Sequence, residues 1–235
     1  MPDSWDFTQK PQRAGPAVQT PYLTYLLTAL SILITAAHLY PGDDPNSLWA
    51  HLGTLGMADS GDNANVRFWS LFTTVFVHGN PLHLLFNMIW LVQLGRILEV
   101  TLGPLIYPAF LLGAALIGSA CEILISGAPG IGMSGVVYAM FGLMWAGRGL
   151  YPAWASVATQ YNLRLFIGWG LFCLVATYIP ALHFGIANGA HGGGFLFGLC
   201  IGFLFFVPRR RWVWAAPLVL LVGATVFTVI RLHNA

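Results

Sequence analysis

The sequence predicts an all-α polytopic membrane protein, and three observations carry that reading. Only 8 % of the 235 residues are charged, where a soluble domain carries roughly 25 %. Hydrophobic residues make up 57 % of the chain and the mean hydropathy is +0.72. The apolar residues fall into seven runs, near 21–40, 81–100, 104–125, 134–150, 163–181, 188–207 and 212–230. Each is close to the roughly twenty residues that a helix needs to cross a bilayer.

Residues 1–19 form a short polar tail with Lys10 and Arg13, expected in the cytoplasm. Thr20-Pro21 is an N-cap and first-turn pair for the first span. That span is longer than a signal-peptide core and no small-residue cleavage pattern follows it, so it is expected in the mature protein. The segment 41–69 is a long loop mixing Asp43, Asp44, Asp59, Asp62 and Arg67 with Trp49, Leu52, Leu55, Met57, Phe68 and Trp69. Such a mixture suits a segment lying in the outer membrane interface, and an ordinary folded loop fits it equally. Several later spans are short or glycine-broken, which is tolerated where a helix is buried among others. Residues 208–235 comprise a basic loop and the seventh span.

Basic residues set the expected orientation. With the N-terminus inside, Lys10, Arg13, Arg96, Arg148, Arg164, Arg209, Arg210 and Arg211 are cytoplasmic and only Arg67 and Arg231 are outside. This is a clear positive-inside bias. Together with the small size, it points to a bacterial cytoplasmic membrane. The formal charge of +2 is too small to suggest a nucleic-acid partner, so the lipid bilayer is the expected surrounding. Cys121, Cys173 and Cys200 lie in apolar segments without Cys-x-x-Cys spacing and read as small buried hydrophobes.

Polar side chains at membrane depth are costly, and each is a functional candidate. The informative ones are His83 and Asn87 in the second span, Ser134 and Tyr138 in the fourth, and Asn188 and His191 in the sixth. Under the expected topology all lie near the outer leaflet. His83 and Asn87 share one helix face by their i, i+4 spacing, as do Ser134 and Tyr138. Ser134 follows a glycine-rich loop, 126–132, and opens a helix, where unpaired N–H groups suit an anion. Taken alone, a serine there is most often a helix cap, and a lone buried histidine or asparagine most often bridges helices. Gly194, Gly198 and Gly202 on the sixth span, and Gly135, Ala139, Gly142 and Ala146 on the fourth, form small-residue stripes. Such stripes let two backbones approach closely, with or without chemistry between them. No acidic or cysteine ligand joins the histidines, so neither a metal site nor a cofactor is expected.

With these residues assembled, the chain resembles the rhomboid intramembrane serine proteases. The nucleophile motif reads Gly132-Met133-Ser134-Gly135 followed by Val136-Val137-Tyr138-Ala139. The histidine motif reads Ala190-His191-Gly192-Gly193-Gly194, with Gly198 beyond it, and His83-Leu84-Leu85-Phe86-Asn87 matches the His-x-x-x-Asn motif. Glu99 matches an acidic residue that the family often has at the inner end of that helix. The resemblance covers roughly 69–207 and implies a six-helix rhomboid-like bundle over 20–207, to which the apolar run at 212–230 adds one C-terminal transmembrane helix. One departure is Trp69-Ser70 where the family often has Trp-Arg, with Arg67 two residues earlier.

The resemblance implies a catalytic dyad of Ser134 and His191, with no aspartate. Asn87 and His83, with the Ser134 backbone N–H, would hold the oxyanion. Tyr138 would stack on the His191 ring, and Gly132 and Gly135 would allow the tight turn and close packing. The implied substrate is a single-pass membrane protein, cut near the outer end of its transmembrane segment. It would enter past the second and fifth spans. The 182–189 loop would act as a mobile cap, or is an ordinary tight connection. Two other readings are a catalytically inactive relative that binds membrane proteins, and a small transporter using His83, His191 and Asn87. Both motif residues Ser134 and His191 are present, which disfavours the first. The inner half of the core has no polar relay besides Glu99, which disfavours the second.

Overall fold

The computed structural model describes residues 20–54, 68–179, 185–207 and 211–234. All regular structure among these residues is helical: α1 (Tyr22–Leu39), α2 (Leu48–Gly53), α3 (Ser70–Thr73), a 3-10 turn (Thr74–Phe76), α4 (Pro81–Ser126), α5 (Ser134–Gly147), α6 (Pro152–Val157), α7 (Gln160–Thr177), α8 (Asn188–Phe206) and α9 (Arg211–Asn234). Among the described residues four stretches are long and apolar enough to cross a membrane: α1, α4, α8 and Trp212–Leu232 within α9. The protein is thus an all-helical integral membrane protein, as the composition predicts.

The second and third apolar runs meet in α4. Forty-six residues of unbroken helix would span about 69 Å, more than twice a hydrocarbon core of about 30 Å. Gly103 resolves this, with φ 81° and ψ 177°, a conformation open to glycine and closed to most side chains. Pro104 follows, which disfavours helical geometry before it and suits the first turn of a new helix. The two arms fold back on each other. A Cβ on Gly95 would lie 2.6 Å from the Tyr107 hydroxyl, although twelve residues of straight helix would separate them by about 18 Å.

α5 sits at the centre. Twelve of its fourteen residues are buried, the mark of a helix that is apolar all round and enclosed by others. α8 packs along it through the predicted stripes. A Cβ on Gly194 would collide with the Gly135 carbonyl, and one on Gly198 with the Ala139 carbonyl. α7 is peripheral, with only Phe166, Cys173 and Ala176 buried.

Several boundaries differ from expectation. α5 ends at Gly147, three residues short of the expected span, and a separate short helix, α6, follows from Pro152. Its Trp154 is fully buried and donates Nε1–H to Thr101 Oγ1 at 3.0 Å. α7 starts at Gln160 because Thr159 caps it, accepting the Asn162 N–H at 3.1 Å, and it ends at Thr177. The expected Thr20 cap of α1 is not made: Pro21 takes the cap position and supplies no side-chain bond. Glu99 caps it instead, accepting the N–H groups of Leu23 and Thr24 at 2.8 Å each and the Thr24 hydroxyl at 2.7 Å. A carboxylate is the stronger acceptor and complements the positive helix start. Glu99→Ala is expected to cost about 3 kcal/mol of stability by orphaning these donors, read as a fall in the thermal unfolding midpoint in detergent.

In the 41–69 loop the described part holds α2, whose first turn is capped by Ser47, and Trp49 donates to the Tyr40 carbonyl at 2.7 Å. Leu55, Met57, Asp59, Asp62 and Arg67 lie outside the described residues, as do the tail, Arg209, Arg210, and Leu182, His183 and Phe184 of the expected cap.

Candidate active site

The loop before α5 is fixed from below. α4 is capped by Gly127, left-handed at φ 83°, whose N–H donates to the Ile123 carbonyl at 2.9 Å. At the far end of the loop Gly132 has φ 104° and donates its N–H to the Thr74 carbonyl at 3.0 Å. A Cβ there would stand 2.6 Å from Cε1 and 2.7 Å from Nε2 of His83. Both the backbone angle and the close ring therefore require glycine. Met133 then occupies the cap position without a side-chain cap bond, and Ser134 opens α5.

Ser134 is not a capping serine. Its Oγ lies 2.8 Å from Nε2 of His191 on α8. With the neutral ring protonated at Nδ1, the hydroxyl donates to Nε2, the arrangement that an activated serine nucleophile requires. His191 is 8 % exposed. Among the described residues its Nδ1 has no hydrogen-bond partner. Tyr138, one turn along α5, stacks on the imidazole with ring centroids 4.7 Å apart and planes 20° apart. The tyrosine is itself fixed, since its hydroxyl donates to the Phe166 carbonyl on α7 at 2.8 Å. Gly135 serves this meeting of helices, for a Cβ there would press to 3.1 Å from the Ala190 carbonyl oxygen.

The start of α8 has an anchor that sequence reasoning missed. Glu122, 5 % exposed near the end of α4, accepts the N–H groups of Gly189 at 2.7 Å and Ala190 at 3.3 Å. It secures the turn that carries His191. Nothing in the sequence pairs Glu122 with a segment 67 residues away; its acidity within an apolar run is the only hint.

His83 and Asn87 lie on α4 beside the loop. Asn80 caps that helix, accepting the His83 N–H at 2.8 Å. Asn87 is 6 % exposed, and its Nδ2 donates to the His83 carbonyl at 2.9 Å. Asn188 does not join the others: it ties α8 to α7 by donating to Thr177 Oγ1 at 2.8 Å.

His78 was also missed, because it stands between spans and outside the family motifs quoted above. It is fully buried. Its Nε2 accepts the Met133 N–H at 3.3 Å, and Nδ1 lies 3.1 Å from Thr35 Oγ1 and 3.2 Å from the Phe76 carbonyl. Its ring meets that of His83 edge to face at 4.9 Å. The available signal was a second histidine five residues before His83 in an otherwise apolar stretch.

What emerges is a polytopic helical membrane protein with a serine and an imidazole in hydrogen-bond contact between two helices packed at their glycines. The model of the Rhomboid domain matches residues 65–208. That is more than half of the chain, and the protein belongs to the rhomboid family, whose members are typically intramembrane serine proteases.

Proposed function

We propose that this protein is an intramembrane serine endopeptidase that cleaves single-pass membrane proteins near the outer end of their transmembrane segment. The observation that carries the reading is the 2.8 Å contact between Ser134 Oγ and His191 Nε2. In the first step His191 takes the hydroxyl proton as the oxygen attacks the scissile carbonyl. It returns that proton to the departing amine, leaving an acyl-enzyme. Water, deprotonated by the same nitrogen, then releases the acid. Tyr138 holds the ring in place of the carboxylate that a triad would use.

Charge develops on the carbonyl oxygen, and the donors nearest the helix start would receive it: the Ser134 backbone N–H, Asn87 Nδ2 and the His83 ring. Asn87 carries two amide hydrogens, and the bond to the His83 carbonyl uses one. Asn87→Ala is therefore expected to lower kcat by about 10²-fold to 10³-fold with little change in KM.

The excess of basic residues on one side supports an N-terminus in the cytoplasm and a site opening to the outer face. Substrate would approach between the first arm of α4 and α7. There the exposed rings of Phe86 and Trp169 lie 6.1 Å apart, and Trp90 meets the buried Phe166 at 4.8 Å.

The test is cleavage of a single-pass substrate in liposomes, with the product ends mapped by mass spectrometry. A cut inside the transmembrane segment near its outer end supports the proposal. Binding of such substrates without any product would identify a binding-only relative.

A further inference from the structure

The geometry points to His78 as a positioning residue for the oxyanion site, acting through Met133 and His83; this rests on the hydrolase reading above. Three facts converge. Met133 is held at both ends: its N–H donates to His78 Nε2 at 3.3 Å, and its carbonyl accepts the Val137 N–H at 2.9 Å. The next peptide group carries the Ser134 N–H, so the direction of that donor follows from how Met133 is fixed. The His78 ring also packs edge to face on His83, the proposed side-chain donor, at 4.9 Å. One imidazole thus sets two of the proposed oxyanion donors.

The hydrogen bonds also assign its tautomer. Nε2 accepts from Met133, so the proton is on Nδ1, facing the Phe76 carbonyl and the Thr35 hydroxyl. Thr35 in turn donates to the Phe76 carbonyl at 3.1 Å, which ties α1 to the 3-10 turn just ahead of His78. Burial, with a smaller contribution from His83, depresses the His78 pKa to about 3 against the opposing effect of the Phe76 carbonyl. The ring is neutral at any pH near 7 and transfers no proton; its contribution is to placement.

The test compares wild type, His78→Phe, His78→Gln and Thr35→Val in proteoliposomes. Each is measured for cleavage, for the rate of Ser134 labelling by a fluorophosphonate, and for thermal unfolding. Phenylalanine keeps the ring and loses the acceptor. It is expected to lower kcat and the labelling rate of the folded protein by about 100-fold, with KM unchanged. Glutamine can accept the Met133 N–H and is expected to restore most of that rate. Thr35→Val should fall between Phe and wild type. A purely structural role would lower the unfolding midpoint of His78→Phe and leave the labelling rate of the folded fraction at the wild-type value; that outcome overturns the inference alone. A wild type that neither cleaves nor labels overturns the hydrolase reading and this inference with it.

Discussion

Ser134→Ala and His191→Ala are each expected to lower cleavage by at least about 10⁴-fold, and the double variant by little more than either alone. The two groups form one device: without the hydroxyl there is no nucleophile, and without Nε2 at 2.8 Å nothing takes its proton as it attacks. Losses in such a unit do not add. The variants should separate in stability. Ser134→Ala removes one oxygen from a half-buried position and should unfold close to wild type. His191→Ala empties the space beneath the Tyr138 ring and should unfold earlier. Activity at equal folded concentration is the measurement. A Ser134→Ala protein that cuts at a tenth of the wild-type rate would contradict the assignment.

The largest effect on the fold is expected at Gly198. A Cβ there would run into the Ala139 carbonyl and come within 2.9 Å of the Leu143 N. Both are backbone atoms of a central helix with no rotamer to yield, so α5 and α8 must move apart. Gly198→Val should cost more than about 4 kcal/mol, above the ordinary range for point substitutions. It should also abolish activity, since the same separation parts Ser134 from His191. Gly192 is the internal control: it lies on the same helix, is exposed, and has nothing within 4 Å of where an added methyl would stand. Gly192→Ala should leave the unfolding midpoint within the error of wild type.

Much of this was legible in the sequence, for identifiable reasons. Apolar runs of bilayer length fix where helices lie, and the glycine stripes on the fourth and sixth spans announce which two approach most closely. Ser134, Tyr138 and His191 could be read together because helical periodicity places the first two on one face. Ends were harder. The start of α7 depends on the Thr159 cap, and the cap of α1 comes from Glu99, 76 residues from Leu23. Contacts of that kind are made by tertiary packing and leave no local pattern. His78 and Glu122 escaped for the same reason: each acts on backbone N–H groups of a distant segment, and a backbone donor has no residue code to match. Asn188 was misgrouped because depth in the membrane says nothing about direction around the helix.

The most direct test of the central claim is covalent labelling of the purified protein with a fluorophosphonate, followed by mass mapping of the modified residue. An activated serine attacks phosphorus, displaces fluoride and keeps the phosphonyl group. The account predicts a single adduct on Ser134 in wild type, and none in His191→Ala over the same time. No adduct on wild-type Ser134, or equal labelling in the absence of His191, would contradict it.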